Sequence, residues 1–137
     1  MEQDHKIISD YEGLRKFSES IRRSGLKISF VAGIFDQSDE VWERRLSRAK
    51  DVESEHVLIV AVYSDALAKK HSGKEPSKHE DKRASMLADF PFVSCVCIIK
   101  EETDETRIIE VLKPEVVIIY KIPPINGINE KQSEIVD

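Results

Sequence analysis

The chain has 137 residues, 40% of them hydrophobic and 34% charged, with a formal net charge of -5. That is apolar material for one domain, 1–137, around one core, and too hydrophobic a mix for a disordered chain. The acid excess argues against nucleic acid as a partner, because a phosphate backbone needs a basic face. No apolar run approaches the ~20 residues of a membrane span, and the polar opening MEQDHKIISDYEG carries no secretory core, so no membrane association and a cytoplasmic location are expected.

Tyr11, Leu14, Phe17 and Ile21 recur at helical spacing, with Ser9 or Asp10 as the cap and Gly25 as the stop. Ile28 to Ala32 is the first predicted strand. A helix is predicted from about Ser38 to Lys50, with Val41, Trp42, Leu46 and Ala49 on its apolar side. His56 to Tyr63, HVLIVAVY, is a continuous apolar run and predicts a strand buried on both faces. Ser64 and Asp65 suit the cap of a short helix through Lys70. A polar loop, HSGKEPSKHE, leads to a helix over about Glu80 to Asp89. Phe92 to Ile99 is the third strand and contains Cys95 and Cys97, two thiols on one face of a strand and read as core. Thr106 to Leu112 is helical and stopped by Pro114. Glu115 to Tyr120 is the fourth strand, and the tail, KIPPINGINEKQSEIVD, reads as irregular.

Strands that alternate with helices predict an α/β fold with a parallel sheet, right-handed crossovers and helices on both faces. Ligands of such sheets sit beyond the strands' carboxyl ends, where the strand order reverses. The residues to inspect are therefore Gly33 to Asp39, Ser64 and Asp65, Lys100 to Thr103, and Lys121 to Asn126. A helix starting just past Asp36 would offer free N–H groups to an anion. Each candidate also has a plainer role. Asp36 suits a helix cap, Asp39 a first-turn acid favoured by the helix dipole, Asp65 a cap, Lys74 a solvated charge, and Trp42 a core or dimer contact.

From Lys27 to Lys121 the order of features resembles the cytidylyltransferase-like nucleotidyltransferase family. Its members open with a strand, then G-x-F-D, two residues, H-x-G-H and a helix. Gly33, Phe35 and Asp36 match the first part. HVLIVAVYSD matches the family's second strand, Gly73-Lys74 and Pro76 its basic loop, Glu80 to Arg83 its E-x-R helix start, and Leu112 to Ile118 its last strand. The resemblance implies a three-layer Rossmann-like (HUP-type) fold. It also implies nucleotidyl transfer from ATP or CTP to a phosphorylated sugar or similar small molecule, of the kind found in lipopolysaccharide-core or cofactor biosynthesis, with Mg2+ and as a homodimer. Carried over by position, Gly33, Ile34, Phe35, Asp36 and Asp65 would bind the nucleotide. Asp36 and Asp39 would hold the metal, and Asp39, Lys74 and Arg83 would be catalytic.

The departures fall on the chemistry. Where the family has H-x-G-H, this chain reads Asp39-Glu40-Val41-Trp42. The imidazoles that would stabilise the leaving pyrophosphate are replaced by a carboxylate and an indole, and the glycine by a β-branched residue. Asp39 facing a phosphate ~4 Å away would oppose it by ~4 kcal/mol at an effective dielectric near 20, unless a divalent ion sits between them. Two readings stand: a transferase, or a catalytically inactive relative that serves as a nucleotide-binding or interaction module.

Overall fold

The structure, a computed structural model, describes residues 6–36, 38–52, 55–120 and 133–136. The predicted rim residues Lys121 to Asn126 lie outside these, as does the side chain of Ala49. The chain runs α1 (Tyr11–Arg23), β1 (Lys27–Gly33), α2 (Asp39–Val52), β2 (His56–Tyr63) and α3 (Asp65–Ser72). It continues through α4 (Glu80–Asp89), β3 (Val93–Ile99), α5 (Glu102–Leu112), β4 (Val116–Tyr120) and β5 (Ser133–Val136).

Local chemistry sets these boundaries. Asp10 caps α1 by accepting from the Gly13 N–H at 2.9 Å, and Gly25 leaves the helix with φ +82°, a conformation a Cβ would strain. Ser64 caps α3, its Oγ accepting from Leu67 N–H at 3.2 Å. α5 begins four residues before the predicted Thr106. The Glu101 N–H donates to Asp104 Oδ2 at 3.1 Å, so an acidic first turn with no apolar periodicity is held by its own side chains.

The sheet order is β3-β2-β1-β4-β5. β1 pairs in parallel with β2 and β4, and β2 with β3, which gives the four-stranded parallel sheet expected. β5 pairs antiparallel with β4, so the predicted irregular tail contributes an edge strand at 133–136. Its apolar content is too slight to signal a strand, and the pairing partner is what makes it one.

Strand alternation divides the core into two layers. Ile28, Phe30, Ala32, Ile59, Ala61, Cys95 and Cys97 pack beneath Leu14, Ile21, Ile108 and Leu112 of α1 and α5. Val31, Leu58, Val60, Val62, Val93 and Val96 pack beneath Trp42, Leu46, Ala84 and Leu87 of α2 and α4. Helices α2 and α4, which follow β1 and precede β3, therefore lie on one face. α5, which carries the chain from β3 across to β4, lies on the other. The order reverses between β1 and β4, and the rim beyond those two strands is the ligand-receiving crevice of such a sheet. Among the described residues no helix is long and apolar enough to cross a membrane.

Candidate functional site

The rim beyond β1 is built around a turn of unusual backbone. Gly33 ends the strand where a Cβ would stand 3.2 Å from both the Cβ and the carbonyl oxygen of Tyr120, so a side chain at position 33 would crowd the end of β4. Phe35 follows with φ +57°, a left-handed conformation that costs a non-glycine residue about 1–3 kcal/mol. The turn sends the Phe35 ring inward, where it is 1% exposed.

Trp42, one turn into α2, meets it there. The two ring centroids are 4.6 Å apart at an interplanar angle of 71°, edge to face. Tyr120 at the end of β4 closes on the other side of the indole, 5.3 Å away at 71°. The Arg45 guanidinium lies 5.2 Å from the indole ring. The three rings thus span the switch point from the end of β1 to the end of β4, with Trp42 2% exposed between them.

The indole Nε1 is buried and has no hydrogen-bond partner among the described residues, a cost of about 1–3 kcal/mol. Burying an indole of about 200 Å² contributes roughly 5 kcal/mol. The strained turn and the unsatisfied N–H together cost about 2–6 kcal/mol, the same order as what the indole gains by burial.

Asp36 turns away from α2. Its Oδ2 accepts from the Ser77 N–H at 2.7 Å and the Ser77 hydroxyl at 2.9 Å, and its Oδ1 from the Lys78 N–H at 3.1 Å. The first turn of α2 opens instead on the Ser38 carbonyl, which accepts from Val41 N–H at 3.2 Å. Asp39 is paired with Lys78 Nζ at 3.4 Å. Among the described residues no group of three or more His, Cys, Asp or Glu side chains is placed to hold a metal ion.

Arg83 is completely buried. Its Nη1 donates to Ile34 O at 2.6 Å and to Tyr63 O at 2.8 Å, tying together the chain beyond β1 and β2. Nε donates to Lys78 O at 2.9 Å, and Nη2 to Asp65 Oδ1 at 2.6 Å. The other Asp65 oxygen lies 3.1 Å from His79 Nδ1, while the Asp65 N–H donates to Glu80 Oε1 at 2.8 Å. Partial burial pushes the Asp65 carboxyl up. The hydrogen bonds and charges of His79 and Arg83 outweigh that, and its pKa lies below the usual aspartate value.

The sequence-derived candidates separate accordingly. Gly33, Ile34, Phe35, Asp36, Asp65 and Arg83 converge on one rim, but Ile34 and Phe35 are buried and the polar groups of Asp36 and Arg83 face other parts of the chain. Lys74 is exposed in the 73–79 loop. Sequence reasoning matched Glu80 to the family's helix start without giving it a role, and did not single out Ser77 or Tyr120. Ser77 and Glu80 act through partners 41 and 15 residues away, and the pattern read Tyr120 as the last residue of the fourth strand, just short of the rim.

A second opening lies beyond β2 and β3, at the Lys100 to Thr103 segment. A cavity of about 360 Å³ is lined by Leu67, Lys70, Lys100, Glu102 and Thr103. The Lys70–Glu102 ion pair at its mouth is 2.5 Å long and more than half exposed on both sides.

Comparison with known proteins places the fold. No protein-family model matches the chain. A solved structure, the lipopolysaccharide core biosynthesis protein from Thermoplasma volcanium GSS1, superposes with a TM-score of 0.58 at 22% identity over 67% of this chain and 72% of that one, which establishes the shared fold. In sequence the chain is similar to the bifunctional protein HldE of several bacteria. It is 32% identical to that of a Nitratiruptor species over 82% of this chain and 24% of the relative. It is 33% identical to that of Rhodopseudomonas palustris over 84% and 23%, and 36% identical to that of Campylobacter jejuni subsp. doylei over 80% and 24%. By sequence and fold the chain belongs to the cytidylyltransferase-like nucleotidyltransferase family. It spans about a quarter of the length of the HldE proteins it matches.

Proposed function

We propose that this chain keeps the nucleotidyltransferase fold without its transfer chemistry and works as an interaction module. One observation carries this reading: Trp42, at the position where the resemblance puts a phosphate-binding histidine, is 2% exposed and packed between Phe35 and Tyr120 across the switch point. The first turn of α2 adds Asp39 and Glu40, whose charges already complement the helix dipole and oppose a phosphate. Catalysis of pyrophosphate departure needs donors aimed at developing charge. Here the strongest donor at the rim, Arg83, is occupied by Ile34, Tyr63, Lys78 and Asp65.

The test is incubation with Mg2+, ATP or CTP, and a panel of phosphorylated sugars and flavin mononucleotide. No pyrophosphate is expected, and steady release from any combination overturns the reading. Calorimetric titration with ATP and CTP separates a nucleotide-binding version from a purely protein-binding one; the plugged rim favours no saturable heat. Sedimentation measures whether the partner is a second copy of the chain, as a homodimer would require.

A second reading rests on the HldE relatives and on the fold neighbour from lipopolysaccharide core biosynthesis: adenylyl or cytidylyl transfer to a sugar phosphate in the cytoplasm. In it the Gly33–Phe35 backbone and Asp65 hold the nucleotide, Asp36 and Asp39 serve Mg2+, and Lys74 and Arg83 neutralise phosphate charge. That mechanism requires Trp42, Asp36 and Arg83 to leave the partners they have in this structure.

A further inference from the structure

We propose that residues 77–83 form a clamp that enforces the left-handed turn at Phe35 and so seats Trp42 in the rim, making the closure releasable from the α3–α4 loop. This deepens the reading of the rim as a plugged site.

Phe35 is pinned on both flanks. On one side, the carbonyl of Ile34 accepts from Arg83 Nη1 at 2.6 Å. On the other, the carboxylate of Asp36 accepts three hydrogen bonds from Ser77 and Lys78. Arg83 Nε in turn donates to the Lys78 carbonyl at 2.9 Å, which joins the two halves of the clamp through a single residue. A residue stays in a strained conformation only where its surroundings over-determine it, and these bonds do so from a segment more than 40 positions away in sequence. The apolar burial of the rings draws them inward but does not choose the turn; the hydrogen bonds choose it.

The two halves differ in accessibility. Arg83 is wholly buried and braces the sheet ends. Ser77 is exposed, and two of the Asp36 bonds are exposed as well. The exposed half is where a change in the loop would act. When Ser77 and Lys78 leave Asp36, the turn loses its outer anchor while the buried half still holds the fold. Asp36 and Arg83 are positioning residues here, since they act on Trp42 through Phe35.

Trp42 is the chain's single tryptophan, so its fluorescence reads the plug directly. Asp36→Ala removes these three outer bonds without touching the core. The expected result is a roughly threefold rise in acrylamide quenching with emission moved to longer wavelength, as for a buried group entering a locally open state. Far-UV circular dichroism stays unchanged, and hydrogen exchange accelerates at 34–39 and 73–79 but not in β2 or β3. Asp36→Asn, which keeps one acceptor oxygen, gives an intermediate value. If Trp42 in Asp36→Ala is as shielded as in the native chain, the clamp is wrong. Pyrophosphate release, by contrast, bears only on the transfer chemistry, so the two readings fail separately.

Discussion

Two strand-to-helix junctions at the same end of the sheet have gone opposite ways. Beyond β3, the chain turns into α5 through a polar first turn held by Glu101 and Asp104 and leaves a cavity of about 360 Å³ beside Lys100. Beyond β1, it turns into α2 through a left-handed phenylalanine and fills the space with three aromatic rings. The topology makes the β1 junction the ligand-receiving one, because the strand order reverses there. Among the described residues the site that topology favours is thus filled by packed rings, while a junction away from the switch point stands open. A shared fold specifies where a crevice can form, and two or three side chains decide whether it does.

The contrast can be broken most forcefully at Arg83. Arg83→Met leaves the carbonyls of Ile34, Tyr63 and Lys78 without their donor and Asp65 without its nearest charge, and should destabilise the fold by about 4 kcal/mol in urea unfolding. Next comes the plug itself. Trp42→Ala should cost about 3 kcal/mol, the lower end for a buried aromatic because the indole N–H is unsatisfied. Trp42→Phe should cost under about 1.5 kcal/mol for the same reason, since it removes the unpaired donor along with the larger ring. If Phe proves as harmful as Ala, the indole nitrogen has a partner after all. At an ordinary junction, Ser64→Ala should cost about 1 kcal/mol by removing the α3 cap.

Acid sharpens the comparison further. The Asp65 carboxyl titrates below its unfolded value, so the stability it supplies is complete above that unfolded value and is lost as pH falls through the lower, folded one. Asp65→Asn should flatten this part of the acid limb, measured as the midpoint of urea unfolding against pH; an unchanged slope would mean that the Arg83 and His79 contacts do not set the titration. The smallest effect is expected at the open junction. Lys70→Ala breaks an ion pair exposed on both sides and should leave thermal stability within error of the parent chain.

The layered architecture was legible because β2 reads as an unbroken apolar run and because Asp10, Gly25 and Ser64 are strong boundary signals. The start of α5 was not, since four of its first residues are polar and are ordered by a reciprocal acid–backbone contact rather than by a buried face. β5 escaped detection because pairing with β4 is a tertiary event. At the rim, the G-x-F-D match and the loss of both histidines could be read directly. What they build could not. The Asp36 clasp and the Arg83 brace join segments distant in sequence, and the left-handed turn at Phe35 is invisible in a residue type that normally avoids it.

Both thiols are buried on β3, in the layer beneath α1 and α5. Burial pushes Cys95 up to about 12 and raises Cys97 further still, which disfavours the reactive thiolate at both positions. Alkylation is therefore expected to report on the opening of the layer over β3, whereas the lone indole reports on the turn beyond β1. The chain thus carries two reporters on separate clocks, one for the layer over β3 and one for the doorway beyond β1.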